Sequence, residues 1–104
     1  MNRYMVVRHR VRDYAFWKRS FDDNEEIRRE YGLKGGQICR DVEDPLELTV
    51  VLEFENLDRA RELTRSEELR EIMKRAGVVG EPSFYFTEQV ARVPELVDVV
   101  HGRA

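Results

Sequence analysis

Two segments of this sequence alternate between two kinds of side chain with a period of two, and this alternation constrains the fold more than any other feature. The segments run from Arg3 to Arg12 and from Leu48 to Glu55. The residues on their more apolar side are Met5, Val7, His9 and Val11 in the first segment and Leu48, Val50, Leu52 and Phe54 in the second. A period of two places successive side chains on opposite faces of a strand. Each segment therefore predicts a β-strand with one buried face.

The segments that follow these two strands have the spacing of amphipathic helices. Asp13 suits the N-cap of a helix from Tyr14 to Tyr31, and Gly32 suits its end. A second helix is predicted from Leu57 to Ala76, with a break at Ser66, whose hydroxyl caps a new helical segment. Both helices carry one apolar side, so both are expected to pack on the sheet.

Two further strands complete the pattern. Gly35-Gly36 precedes a short strand at Gln37–Arg40, and the turn Gly80-Glu81-Pro82 leads into a last strand at Ser83–Val90. The order is strand, helix, strand, strand, helix, strand. This βαββαβ order predicts an α+β, ferredoxin-like fold with a four-stranded antiparallel sheet and both helices on one face.

Composition and charge exclude several classes of protein. The formal net charge of -3 lacks the basic excess of a nucleic-acid binder. No apolar run approaches the roughly 20 residues of a membrane span. A single cysteine, Cys39, rules out an intrachain disulfide and fits the cytoplasm, where we expect it as a buried structural thiol. Two histidines without a ligand motif predict no metal, and the absence of a phosphate-cradling glycine loop predicts no nucleotide cofactor.

The sheet face turned away from the helices is expected to need a cover. Apolar or weakly polar residues interrupt its polar surface, namely Val6, Cys39, Val51 and Tyr85. We therefore expect two sheets to pack face to face in a homodimer. Between the sheets Arg8 and Glu53 are predicted to form a cross-strand ion pair, with Tyr85 at the interface.

The chain is expected to divide into one domain, residues 1–90, and a C-terminal tail, residues 91–104. The tail is too apolar for a frayed end, since it contains Leu96, Val97, Val99 and Val100. We expect these residues to pack on the partner subunit, over a sheet edge or the entrance of a pocket.

Several stretches of the sequence carry a family resemblance. They are Val7-Arg8-His9-Arg10-Val11, Trp17 through Phe21, Gly35-Gly36, Val51-Leu52-Glu53-Phe54, the segment from Ser66 to Met73, the segment from Ala76 to Pro82, and Phe84-Tyr85-Phe86. With these motifs the chain resembles the dimeric α/β-barrel superfamily, close to its antibiotic-biosynthesis monooxygenase-like branch. The resemblance implies a ligand cavity between sheet and helices in each subunit, while the two paired sheets of the homodimer build a dimeric α/β barrel. The superfamily includes oxygenases, haem-degrading enzymes, isomerases, cyclases and ligand-binding regulators, so the fold alone does not fix the reaction.

One ionisable residue, His9, falls on the apolar face of the predicted sheet. A histidine under aromatic cover can act as a general base towards an acidic C–H or phenolic O–H, in the histidine range of about pH 6–7. The alternative is a structural histidine hydrogen-bonded to backbone. Aromatic and flexible apolar residues are expected around it, either as a pocket for a flat hydrophobic molecule or as ordinary core: Trp17, Phe21, Phe54, Met73, Phe84 and Phe86.

Two functions from different classes follow. The first is a small cofactor-independent enzyme, monooxygenase-like or isomerase-like, that acts on an aromatic or enolisable compound with His9 as base. The second is a non-catalytic dimeric module that binds a hydrophobic small molecule. Haem degradation is not expected, because the haem-degrading members of the superfamily use a tryptophan and a histidine late in the chain. Here the single tryptophan is Trp17, on the first predicted helix.

Overall fold

The strands form where the alternation predicts them, in a computed structural model that describes residues 2–96. The elements in chain order are β1 (Arg3–Val11), α1 (Tyr14–Asp23), α2 (Glu25–Glu30), β2 (Leu33–Arg40), β3 (Glu47–Phe54), α3 (Leu57–Arg65), α4 (Glu67–Arg75) and β4 (Val78–Glu88). The four strands make one antiparallel sheet in the order β2-β3-β1-β4. This is the predicted ferredoxin-like α+β fold, with each predicted helix present as two segments.

The break in the second helix is confirmed at Ser66. Its backbone leaves the helical region, and its hydroxyl accepts a hydrogen bond of 3.1 Å from the Leu69 N–H, which caps α4. The first helix was predicted unbroken, and this is wrong: it divides at Asn24. There the Asn24 side-chain amide donates to the Ser20 carbonyl at 2.8 Å. An asparagine that bonds the preceding turn competes with helix continuation, so the chain turns between α1 and α2.

Strand β2 begins earlier than predicted and contains both glycines. It starts at Leu33 and crosses a register irregularity between Leu33 and Gly36. A Cβ atom at Gly36 would lie 1.8 Å from the Val51 carbonyl oxygen. The glycine therefore belongs inside the strand, at a bulge where two backbones approach more closely than any side chain allows.

Strand β4 also begins earlier than predicted, at Val78, so Gly80-Glu81-Pro82 lies within the strand and not in a turn before it. The pairing with β1 shifts in this stretch: Arg8 lies opposite Ser83, whereas Arg10 lies opposite Val79. An edge strand accommodates Pro82, because proline has no N–H to donate to a neighbour.

The burial pattern confirms the predicted inner face of the sheet. Alternate residues of β1 and β3 are buried, and they pack against the helices. The buried apolar residues are Met5, Val7, Val11, Trp17, Leu33, Leu48, Val50, Leu52, Phe54, Ala60, Leu63 and Ala76. The core therefore lies between sheet and helices, and the other face of the sheet has no layer over it within the described chain.

The predicted tail falls partly outside the described residues, which end at Leu96. Residues 91–96 form no helix or strand, and Leu96 is exposed. Val97, Val99 and Val100, expected to reach the partner subunit, lie outside the described residues, so the tail contact stays a prediction. No helix in the described part of the chain is long and apolar enough to cross a membrane.

Candidate functional site: a cavity on the inner face of the sheet

A cavity lies between the inner face of the sheet and the four helices. Its cavity volume is about 70 Å³. The four strands form one wall of the cavity, and α1 and α2 form a second. Residues of α3 and α4 close the remaining side. The residues that line it are Met5, Val7, His9, Trp17, Ser20, Phe21, Asn24, Ile27, Arg28, Leu33, Val50, Leu52, Leu63, Leu69, Ile72, Met73, Ala76 and Phe84. The lining is mostly apolar, as in small-molecule sites generally.

His9 is placed in this cavity by the alternation of β1. It lies opposite Leu48 of β3 on the helix-facing side and is only 4% exposed. Neither Nδ1 nor Nε2 has a hydrogen-bond partner in the described chain. Buried polar groups are nearly always paired, so a buried imidazole with two unpartnered nitrogens is exceptional.

Burial sets the protonation state of His9. Desolvation lowers the pKa of His9 below its ordinary value of 6.5, against an opposing attraction from the carboxylate of Glu47. The neutral imidazole therefore predominates at neutral pH. In this form one nitrogen donates a hydrogen bond and the other accepts one, and the accepting nitrogen is able to take a proton.

Aromatic rings from α1 form one wall beside His9. The Trp17 ring centroid lies 5.5 Å from that of His9 and 5.1 Å from that of Phe21, with the two aromatic planes of the latter pair inclined by 29°. Met73 of α4 and Phe84 of β4 also line the cavity. Four residues predicted for a pocket thus surround the same space as His9.

Phe54 and Phe86, also predicted for the pocket, lie outside the cavity lining. They pack against each other edge to face, with ring centroids 5.9 Å apart. Phe54 is buried and Phe86 is packed against the core. Their position indicates core packing at the end of the sheet away from His9.

Polar side chains from α1 and α2 complete the lining, and sequence reasoning gave one of them the wrong environment. The alternating charges of Arg28-Arg29-Glu30 predict a solvated helix face, but Arg28 is half-buried and lines the cavity. The spacing of Trp17, Phe21, Asn24 and Arg28, in steps of four, three and four, is one helical stripe. That stripe was the signal that would have placed Arg28 correctly.

The opposite face of the sheet holds the residues predicted for a dimer barrel, but the predicted ion pair is wrong. Arg8 lies opposite Thr49, and Glu53 lies opposite Tyr4, so the register keeps Arg8 and Glu53 apart. Arg8 instead contacts Glu47, with Nε 3.4 Å from a carboxylate oxygen. This pair is largely exposed in the single chain.

Tyr85 and Cys39 lie on strands at the two edges of that open face. Tyr85 is 55% exposed, next to Val6 of β1. Cys39 is exposed as well, contrary to the buried thiol expected from the sequence. The described residues contain no group of three His, Cys, Asp or Glu side chains arranged to hold a metal ion.

Comparison with known proteins places the fold. No protein-family model matches the sequence, and no curated protein matches it. Among solved structures, an antibiotic biosynthesis monooxygenase candidate from Bordetella bronchiseptica is 18% identical and has a TM-score of 0.71, over 86% of this chain and 98% of that chain.

Two further solved structures share the fold and have described activities. A cofactor-independent oxygenase from Streptomyces nogalater is 12% identical with a TM-score of 0.69, over 90% of this chain and 98% of that chain. A monooxygenase from Streptomyces coelicolor, solved with the ligand nanaomycin D, is 23% identical with a TM-score of 0.61, over 90% of this chain and 93% of that chain. The chain therefore has the ferredoxin-like fold of the antibiotic-biosynthesis monooxygenases.

Proposed function

We propose that this protein is a small cofactor-independent monooxygenase that acts on an enolisable aromatic molecule, with His9 as general base. The observation that carries the proposal is the unpartnered imidazole of His9 in an aromatic-lined cavity. Leaving a buried polar group unpaired costs free energy. A ligand hydroxyl or acidic C–H beside the ring would supply the missing partner. The similarity of fold to solved oxygenases supports the same activity.

The chemistry needs only the base and molecular oxygen. The accepting nitrogen of His9 takes a proton from a CH₂ group that is activated by neighbouring rings and carbonyls. The resulting carbanion, delocalised as an enolate, reduces O₂ to a peroxide on the same carbon. Loss of water then leaves a carbonyl, so that R₂CH₂ and O₂ give R₂C=O and H₂O. The apolar lining keeps water away from the anion during this sequence.

The lowered pKa of His9 predicts the pH profile. A general base acts in its neutral form, and burial extends that form to pH values below 6.5. Activity should therefore persist below the ordinary histidine range and decline only as His9 becomes protonated. This refines the expectation from the sequence, which placed the decline at about pH 6–7.

Dithranol, a hydroxylated anthrone with an acidic CH₂ group, is a suitable probe. We expect the protein to accelerate its oxidation to the quinone, with one O₂ consumed for each quinone formed. Replacement of the base, His9→Gln, should lower the rate at least about 100-fold while dithranol still binds. Cys39→Ser, on the opposite face, is the control and should leave the rate unchanged. An equal rate for wild type and His9→Gln would remove His9 as the base.

The same assay distinguishes this proposal from two other functions. An isomerase-like enzyme with the same base would return the proton to a different atom and consume no O₂. A non-catalytic binding module would bind the probe without changing its rate of oxidation. One observation favours the module: within residues 2–96, no carboxylate or backbone group holds the second nitrogen of His9, whereas catalytic histidines are commonly oriented by such a partner.

We also propose that the protein is a homodimer paired through the open face of the sheet. Apolar and aromatic side chains remain exposed or half-exposed there, including Val6, Val51 and Tyr85. Their contact with a second copy would bury them and build the α/β barrel. The proposed partners are thus a second copy of this chain and a hydrophobic small molecule, within the cytoplasm.

A further inference from the structure

Arg28 is a charged side chain that lines the cavity, and its closest polar and aromatic contacts are both with Phe21. Its Nη1 donates to the Phe21 carbonyl at 2.6 Å, and its guanidinium carbon lies 3.7 Å from the centroid of the Phe21 ring. Phe21 and Arg28 line both the cavity and the adjoining groove along β2, so they lie at the rim between the two. The two contacts hold the planar guanidinium group in this position. One face and one edge of the guanidinium are thereby occupied.

The carboxylates nearest to Arg28 along the helix are engaged by other cations. Asp22 lies 2.7 Å from Lys18 Nζ, and Glu25 lies 3.1 Å from Arg29 Nη2. Within residues 2–96, no carboxylate forms an ion pair with Arg28. Burial lowers the pKa of Arg28, against the weaker attraction of Glu25 and Asp22. An arginine nevertheless keeps its proton in proteins, so a half-buried cation lines an apolar cavity and has N–H donors besides the one that bonds Phe21.

We propose that Arg28 selects ligands that carry an anionic oxygen, such as a carboxylate or an acidic phenol, on a planar aromatic body. The rings enter the cavity beside Trp17, and the anionic oxygen pairs with the guanidinium at the rim. Charge-assisted hydrogen bonds to arginine are among the stronger polar contacts, and they strengthen where water is excluded. This proposal rests on the proposed ligand site and narrows its substrate class to aromatic anions.

The test compares two probes of equal shape, 2-naphthoate and the neutral 2-naphthamide. Trp17 is the single tryptophan and lines the cavity, so its indole N–H resonance reports occupancy of this site alone. We expect wild-type protein to bind 2-naphthoate about tenfold more tightly than 2-naphthamide. In Arg28→Gln, the affinity for 2-naphthoate should fall to that for 2-naphthamide, and the affinity for 2-naphthamide should stay unchanged.

Two further variants separate charge from structure. Arg28→Lys keeps the charge without the planar group and should retain part of the preference for 2-naphthoate. Arg19→Gln removes an exposed charge of α1 that lies outside the cavity lining and forms no ion pair within residues 2–96, and it should leave both affinities unchanged. Should Arg28→Gln fail to fold, the preference of the wild type and of Arg28→Lys still decides the question.

Three results would overturn the proposal. Equal affinity of wild type for the two probes would show that the cavity does not select an anion, while the ligand site itself would stand. If Arg28→Gln weakened the binding of both probes equally, Arg28 would have only a structural role. A Trp17 resonance that moves with neither probe would refute the aromatic ligand site of the proposed function, and the role of Arg28 with it.

Discussion

The two faces of the sheet are built from alternate residues of the same strands, yet they treat polar groups in opposite ways. On the open face, Arg8 contacts Glu47, and Arg10 contacts both Asp44 and Glu47. On the inner face, His9 lies between these two arginines in sequence, and neither of its nitrogens has a hydrogen-bond partner within residues 2–96. The two arginines on the open face are thus paired, whereas the histidine buried among apolar side chains is not. This difference supports our proposal that the ligand binds on the inner face.

The largest expected effect is on the free energy of unfolding, which should depend on the inner face of the sheet far more than on the open face. Leu48→Ala removes a fully buried side chain opposite His9 and should lower the free energy of unfolding by about 3 kcal/mol. Thr49→Ala, the next residue but on the open face, should change it by less than about 0.5 kcal/mol. Urea denaturation at one protein concentration measures both. Comparable losses would show that the two faces are equally packed and would contradict the comparison.

The second effect concerns association through the open face. Tyr85→Glu places a charge where we propose that two sheets meet, and it should raise the dissociation constant of the dimer at least about tenfold. Val42→Glu adds the same charge at a loop position that is 98% exposed and should leave association unchanged. Sedimentation equilibrium distinguishes the outcomes. A wild-type protein that sediments as a monomer would rule out the barrel.

The third effect is a gain in stability at the expense of function. His9→Leu replaces an unpartnered buried imidazole with an apolar side chain and should raise the free energy of unfolding by about 1 kcal/mol at neutral pH. A structural histidine with satisfied hydrogen bonds would give the opposite sign. Thermal unfolding of the two proteins at equal concentration decides between the two signs.

The smallest effect is a difference in pH dependence. Because burial lowers the folded-state pKa of His9, the unfolded chain binds more protons than the folded chain between that lowered value and 6.5. The free energy of unfolding should therefore fall as the pH drops through 6.5, and this part of the decline should be missing in His9→Leu. Urea titrations at a series of pH values compare the slopes. Parallel curves for the two proteins would show that His9 titrates alike in both states.

The sequence predicted the features that depend on local pattern. The period of two in β1 and β3 identified the buried face, including Val7 and Val50, because alternation alone decides which side chains share a face. The hydroxyl of Ser66 predicted the helix break because a cap acts within its own turn. His9 and Trp17 were expected near each other on these grounds.

The features missed depend on partners that are distant in sequence. Gly36 looks like a loop residue, but the approach of the Val51 carbonyl draws it into a strand. Glu53 was expected to reach Arg8, but the register between β1 and β3 places Arg8 opposite Thr49, where its side chain contacts Glu47. Arg28 looked solvated because its helix is rich in charge, and its burial depends on the stacking over Phe21. Register and packing of this kind are properties of the assembled sheet.

The central claim is that a ligand occupies the inner face of the sheet. Intermolecular nuclear Overhauser effects from bound 2-naphthoate test it most directly, because the two faces carry different reporter protons. We predict contacts from the naphthalene ring to the Trp17 indole and the Met73 methyl group, both of which line the cavity. Contacts to Tyr85 and Val51 in their place would put the ligand in the barrel between two sheets and would contradict the account.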